Sequence, residues 1–154
     1  MKGYRYRSPN GLNQVDFHDA VIESIRIDRG KITLHIESVN ILPDHPLNPY
    51  DVAKNTDRCA LEFCGVERYE SVVFENDKQA GTAAALSGIG EFEILKLERQ
   101  EAAEHSLYKI FGISAAHDQA FAEIRIEARH TIMGWNEYVA DAWFVDWPER
   151  KERS

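Results

Sequence analysis

The chain has 154 residues, 44% hydrophobic and 29% charged, with 18 Lys/Arg against 26 Asp/Glu and a formal net charge of −8. That is the size of one ordinary domain, long enough to bury a core without disulfide or metal staples. The composition excludes a bilayer-spanning apolar run, the basic residues 1–7 lead into no apolar secretory segment, and the acidity argues against phosphate-backbone partners, so a cytoplasmic protein without nucleic-acid or membrane partners is expected.

The first element in chain order is a hairpin. Apolar and polar residues alternate over 25–28 and 31–37, as they do in strands with one wet face. The turn Asp28-Arg29-Gly30-Lys31 lies between them, its glycine free to take positive φ. The inward set is Ile25, Ile27, Ile32, Leu34 and Ile36, which leaves His35 on the outer face with Thr33 and Glu37. Residues 40–57 carry Pro43, Pro46 and Pro49; proline has no N–H for a ladder, so no central strand runs here and a long surface loop is expected.

Segment 59–63 alternates again, with Gly65 as a break or bulge, and 69–75 reads as a short strand. Asn76 can cap a small helix over 77–86 that Gly88 stops, with an ordered loop as the alternative. Over 92–99 the phase changes: Phe92 and Ile94 point one way, Leu95 and Leu97 the other, which predicts a bulge or a strand buried on both faces. Segment 107–113 is short and apolar, and 115–119 is a connection. Over 121–129, Ala122, Ile124, Ile126 and Ala128 face in while Glu123, Arg125, Glu127 and Arg129 form a charge ladder outside. Gly134-Trp135-Asn136 reads as a turn, followed by a last strand over 137–147 that Pro148 ends.

The fold class that follows is mainly β, or α+β with one or two short helices: seven or eight strands in a largely antiparallel sheet. A single curved sheet, a sandwich and a partly closed barrel all fit. Residues 1–148 form a single β-rich domain and 149–154 a polar C-terminal tail.

No motif names a chemistry. Cys59 and Cys64 are not a Cys-x-x-Cys pair and read as buried, reduced thiols. Six histidines occur, His18, His35, His45, His105, His117 and His130, without the i, i+4 or i, i+2 spacing of metal ligands, so surface or turn positions are expected and neither metal nor cofactor is called for. No serine sits in a Gly-x-Ser-x-Gly elbow, and the glycines of 81–90 lack a phosphate-binding pattern, so no catalytic residue is assigned. His18-Asp19, just before a strand, is expected to close a turn through backbone hydrogen bonds. Trp135, Trp143 and Trp147 are close in sequence; such clusters are mostly core, but a tryptophan on the outer face marks a binding patch.

Residues 16–27, Asp16-Phe17-His18-Asp19-Ala20-Val21-Ile22-Glu23-Ser24-Ile25-Arg26-Ile27, followed by Lys31-Ile32-Thr33-Leu34-His35-Ile36, resemble the opening of a loose group of small bacterial β-rich proteins. Some of that group are uncharacterised and some are immunity-type proteins of polymorphic toxin systems. The resemblance covers about 20 residues and implies a cytoplasmic bacterial protein with a β fold and a protein partner; it carries no catalytic residue with it.

Three readings of function follow. The first is a non-enzymatic interaction domain, immunity-like, meeting a basic protein partner. Its support is the charge of residues 41–154, where 12 Lys/Arg stand against 21 Asp/Glu, although such a balance also serves solubility alone. The second is a small enzyme or ligand-binding β barrel built on His18, His35 or His130 with carboxylates. The third, compatible with either, is a homodimer formed through an edge strand or the 135–147 segment. The candidate binding residues are His18, Asp19, His35, Trp143 and Trp147.

Overall fold

The computed structural model describes residues 3–74 and 81–145. Among these residues the strands are β1 (Tyr6–Pro9), β2 (Val15–Asp16), β3 (Val21–Asp28), β4 (Lys31–Ile36), β5 (Asn40–Ile41), β6 (Lys54–Thr56), β7 (Cys59–Cys64), β8 (Arg68–Phe74), β9 (Thr82–Ala84), β10 (Phe92–Glu101), β11 (Ser106–Ser114), β12 (Ala120–Ala128), β13 (His130–Trp135) and β14 (Tyr138–Asp141). Helical structure among the described residues is limited to single 3-10 turns at Leu12–Gln14, Leu86–Gly88 and Ala115–His117. No helix among them is long and apolar enough to cross a membrane.

Every pairing is antiparallel. Ten strands form one sheet in the order β1-β13-β7-β4-β3-β10-β11-β12-β8-β9, and β14-β6-β5-β2 form a second. The large sheet folds over on itself. β7 passes through Gly65 into β8, and β12 passes through Arg129 into β13, although each pair of successive strands lies six places apart in the sheet. The two crossings run side by side, tied by Arg129 N–H to the Cys64 carbonyl at 3.0 Å and Glu67 N–H to the Glu127 carbonyl at 2.9 Å. Strands that bend from one layer into the next are how β layers share a corner. The end strands β1 and β9 do not pair, so the sheet is not closed into a barrel.

The alternating segments form the core as their period requires. Ala122, Ile124, Ile126 and Ala128 are each fully buried, as are Ile32, Leu34 and Ile36 of the hairpin. Across the layers the Phe63 ring meets Tyr108 edge-on at 5.1 Å. Ile27 departs from its expected inward place and is 38% exposed. β3 pairs with β10 only at Val21 and Ile22, so the hairpin tip, turned by Gly30 at φ +63°, overhangs the sheet.

Four further expectations are corrected. Residues 40–57 are not simply a surface loop: β5 and β6 lie inside them, and His45 and Asn48 are buried. Asn48 supplies the hydrogen bonds that prolines withhold, its amide donating to the carbonyls of Ile41, Leu42 and Val52. The helix over 77–86 is replaced, in its described part, by β9 and the start of a 3-10 turn. Gly134 and Trp135 belong to β13, and the turn comes one residue later, where Asp57 Oδ1 accepts the N–H groups of both Asn136 and Glu137 at 3.0 Å. The last strand stops at Asp141, so Trp143 and Val145 lie in a turn and share no strand face. Trp147, Pro148 and the polar tail lie outside the described residues.

Candidate functional site

The sequence singled out His18-Asp19 and the phase change in β10 separately; the structure joins them. Phe17 to Ala20 form a tight turn, with Ala20 N–H donating to the Phe17 carbonyl at 3.0 Å and Asp19 at φ +65°. The β10 register shifts between Ile94 and Lys96. A bulge frees backbone groups from the ladder, and here the turn takes them. Asp19 N–H donates to the Ile94 carbonyl at 2.8 Å, Ile94 N–H donates to the Ala20 carbonyl at 2.7 Å, and His18 Nδ1 bonds the Leu95 carbonyl at 3.0 Å. The turn itself is closed by backbone, while the His18 side chain and the Asp19 backbone N–H tie it to β10.

Beside this turn lies a cleft of about 340 Å³ lined by Asp16, His18, Asp19, Asn40, Asn55 and Trp143, among others. Its floor is a chain of side-chain hydrogen bonds. Asp16 accepts from His18 N–H through Oδ1 at 3.1 Å and from Asn40 Nδ2 through Oδ2 at 3.2 Å. Asn40 Oδ1 accepts from Asn55 Nδ2 at 3.1 Å, and the same Nδ2 lies 3.3 Å from Ser38 Oγ. Trp143 forms the rim and is 60% exposed. Its neighbours hold it there: Ala142 and Val145 are buried against Ala53, and Ala142 N–H donates to the Ala53 carbonyl at 2.9 Å.

The groups left free in the cleft are of one kind. A carbonyl only accepts, so the proton of neutral His18 resides on Nδ1 and Nε2 presents a lone pair. Asp19 lies 3.6 Å from Nε2 and is more than half exposed. Asn55 Oδ1 has no hydrogen-bond partner among the described residues. Among the described residues, no lysine or arginine lines the cleft. The Leu95 carbonyl holds the His18 pKa above its ordinary value; desolvation opposes it to a lesser extent, and Asp19, Asp16 and Glu93 each add a smaller push upward.

The remaining candidates lie elsewhere. His35 stands on β4 opposite Ser24 and Ala60, and His130 opens β13 opposite Cys64. Neither lines this cleft, and among the described residues no three His, Cys, Asp or Glu side chains could hold a metal ion together. Burial pushes the thiols of Cys59 and Cys64 up to about 12 and about 11, so neither is an activated nucleophile. Sequence reading missed Asn40 and Asn55, whose only signal was polarity at the two feet of a proline-rich segment.

Ser8 Oγ and His45 Nε2 are 2.8 Å apart, a nucleophile–base spacing. The polarity is wrong for that role. His45 Nδ1 accepts Leu47 N–H at 3.0 Å, so Nε2 carries the proton and donates to Ser8. His45 is 3% exposed, contrary to a surface placement, and burial lowers its pKa below 6.5 while Asp44 raises it to a lesser extent. The unfolded chain therefore takes up this proton at higher pH than the native protein does. The stabilising contribution is complete above the ordinary value and is lost as the pH falls through the lower native one. Urea unfolding at neutral and mildly acid pH is expected to show stability falling with acidification. His45→Asn, whose Oδ1 can take the place of Nδ1 before Leu47, should be less stable at neutral pH and should lose less on acidification. An equal loss in the variant would place the titration elsewhere.

No protein family, curated protein or solved structure matches the chain.

Proposed function

We propose that the protein is a non-enzymatic interaction domain, immunity-like in type, that binds a basic protein partner at the His18–Asp19–Trp143 cleft. The observation that carries this reading is the uniform polarity of the cleft. Its free groups are a carboxylate, an amide oxygen and an imidazole lone pair, and the exposed Trp143 stands beside them; each of these attracts a cationic donor. A guanidinium stacks on tryptophan while donating to carboxylate, and each such contact contributes about 1–2 kcal/mol when partly desolvated. The hydrogen-bonded floor of Asp16, Asn40 and Asn55 holds these groups in place before any partner arrives, which lowers the ordering cost of binding.

A hexa-arginine peptide, followed by fluorescence at low and moderate salt, tests the assignment. Trp143→Ala and Asp19→Asn are each expected to weaken binding about tenfold, the equivalent of one such contact. Acidification should weaken it as well, because protonated His18 places a positive charge beside Asp19. Equal affinity of both variants and the parent chain would remove the cleft from the interface.

A second reading, a small enzyme or ligand-binding domain with a histidine/carboxylate site, draws on one observation: the Leu95 carbonyl orients His18 so that Nε2 is free to accept a proton. It now rests on His18 and Asp19 alone, in an open cleft rather than a barrel.

A further inference from the structure

A second cleft, of about 400 Å³, has the opposite chemistry and shares no lining residue with the first. Arg99 of β10 and Tyr108 of β11 are cross-strand partners on the inward side of their layer. Tyr108 is 2% exposed, and its hydroxyl has no hydrogen-bond partner among the described residues. Arg99, 47% exposed, sits at the mouth. Its Nε donates to Ser106 Oγ at 3.0 Å, and Nη2 reaches Glu101 at 3.5 Å, the limit of a hydrogen bond, with that carboxylate 79% exposed. Most of the guanidinium's five N–H donors are uncommitted. Across the cleft, Asn10 Oδ1 accepts Thr131 N–H at 3.1 Å, which leaves the Asn10 NH₂ group to donate. A guanidinium, a phenol and an amide are thus on offer as donors, with the exposed Glu101 carboxylate as the one acidic group among the described lining residues. Leu12 and Leu97 supply the apolar wall.

We infer that this cleft binds a small aliphatic monocarboxylate, its carboxylate held by Arg99, Tyr108 and Asn10 and its chain lying along Leu12 and Leu97. The volume lies within the range of small-molecule sites, about 300–1,000 Å³. The Glu101 carboxylate opposes an anion here, and its exposed side chain must give up the 3.5 Å contact with Arg99 when the ligand enters.

Amide chemical shifts of the full chain, followed during titration with hexanoate, 1-hexanol and hexylammonium, test this. Hexanoate is expected to saturate below about 10 mM, the weak affinity of so small a ligand, and to move the amides of Asn10, Arg99 and Thr131. Hexanol should bind at least about tenfold more weakly, reflecting the loss of the charge-assisted bonds, and hexylammonium should not bind. Arg99→Gln should weaken hexanoate about tenfold and Tyr108→Phe about threefold, the phenylalanine keeping the ring contact with Phe63. Trp143→Ala should leave hexanoate binding unchanged. Absence of saturation, hexanol binding as tightly as hexanoate, or full affinity in Arg99→Gln would overturn the site. Should Arg99→Gln fail to fold, the three-ligand comparison on the parent chain decides.

Discussion

Trp135→Ala is expected to cost about 3–5 kcal/mol in urea unfolding, a large part of what a domain of this size has to lose. Trp135 ends β13 fully buried and joins three parts of the chain. Tyr6 of β1 stacks on it with centroids 5.5 Å apart, His45 meets it edge-on at 5.6 Å, and Tyr138 of β14 at 6.1 Å. Removing the indole opens a cavity where an edge strand, the 40–57 segment and the small sheet converge. β1 is held by its ladder to β13 and β14 by its ladder to β6, so the surrounding rings cannot close the space cheaply. Trp143→Ala, at an exposed site, should cost no more than about 0.5 kcal/mol. Similar losses at the two tryptophans would mean that Trp135 is not the junction described.

Gly112→Val should be of comparable severity, about 3 kcal/mol or more, the upper end of overpacking costs. Gly112 lies within β11, near its C-terminal end, paired with Ile94 on one side and Ala122 on the other. A Cβ there would lie 2.0 Å from the Glu93 carbonyl oxygen and 2.5 Å from the Phe92 ring. The first obstacle is ladder backbone and the second a fully buried side chain, so neither can step aside. Relief requires prising β10 from β11 beside the bulge whose carbonyls hold His18 and Asp19, and the amides of 17–20 should shift with the loss of stability. Gly88→Ala, where nothing lies within 4 Å of the added carbon, should be neutral to within about 0.5 kcal/mol. A stable Gly112→Val with an unchanged spectrum would contradict the β10–β11 register.

The two clefts were legible in the sequence to different degrees. His18, Asp19 and the β10 phase change were each visible, because a turn dipeptide and a broken alternation are local signals. That the bulge exists to receive the turn was not visible, since residues 18 and 95 meet only through the β3–β10 pairing. Trp143 was one of three tryptophans close together in the chain. Its exposure follows from Ala142 and Val145 packing on Ala53, a contact with a segment about ninety residues earlier. Arg99 read as one more charge near a strand end. Only its β11 partner reveals that it shares the inward row with Tyr108.

Two-residue periodicity by itself determined that this chain is an antiparallel β protein and which side chains of β4 and β12 are dry, because alternation along a strand needs no knowledge of its neighbours. The tertiary structure alone decided where the sheet turns its corner, that His45 and Asn48 go inside, and which polar groups face each other across a cleft. Those outcomes depend on backbone donors and acceptors meeting between segments far apart in the chain, and a one-dimensional pattern carries no record of such meetings.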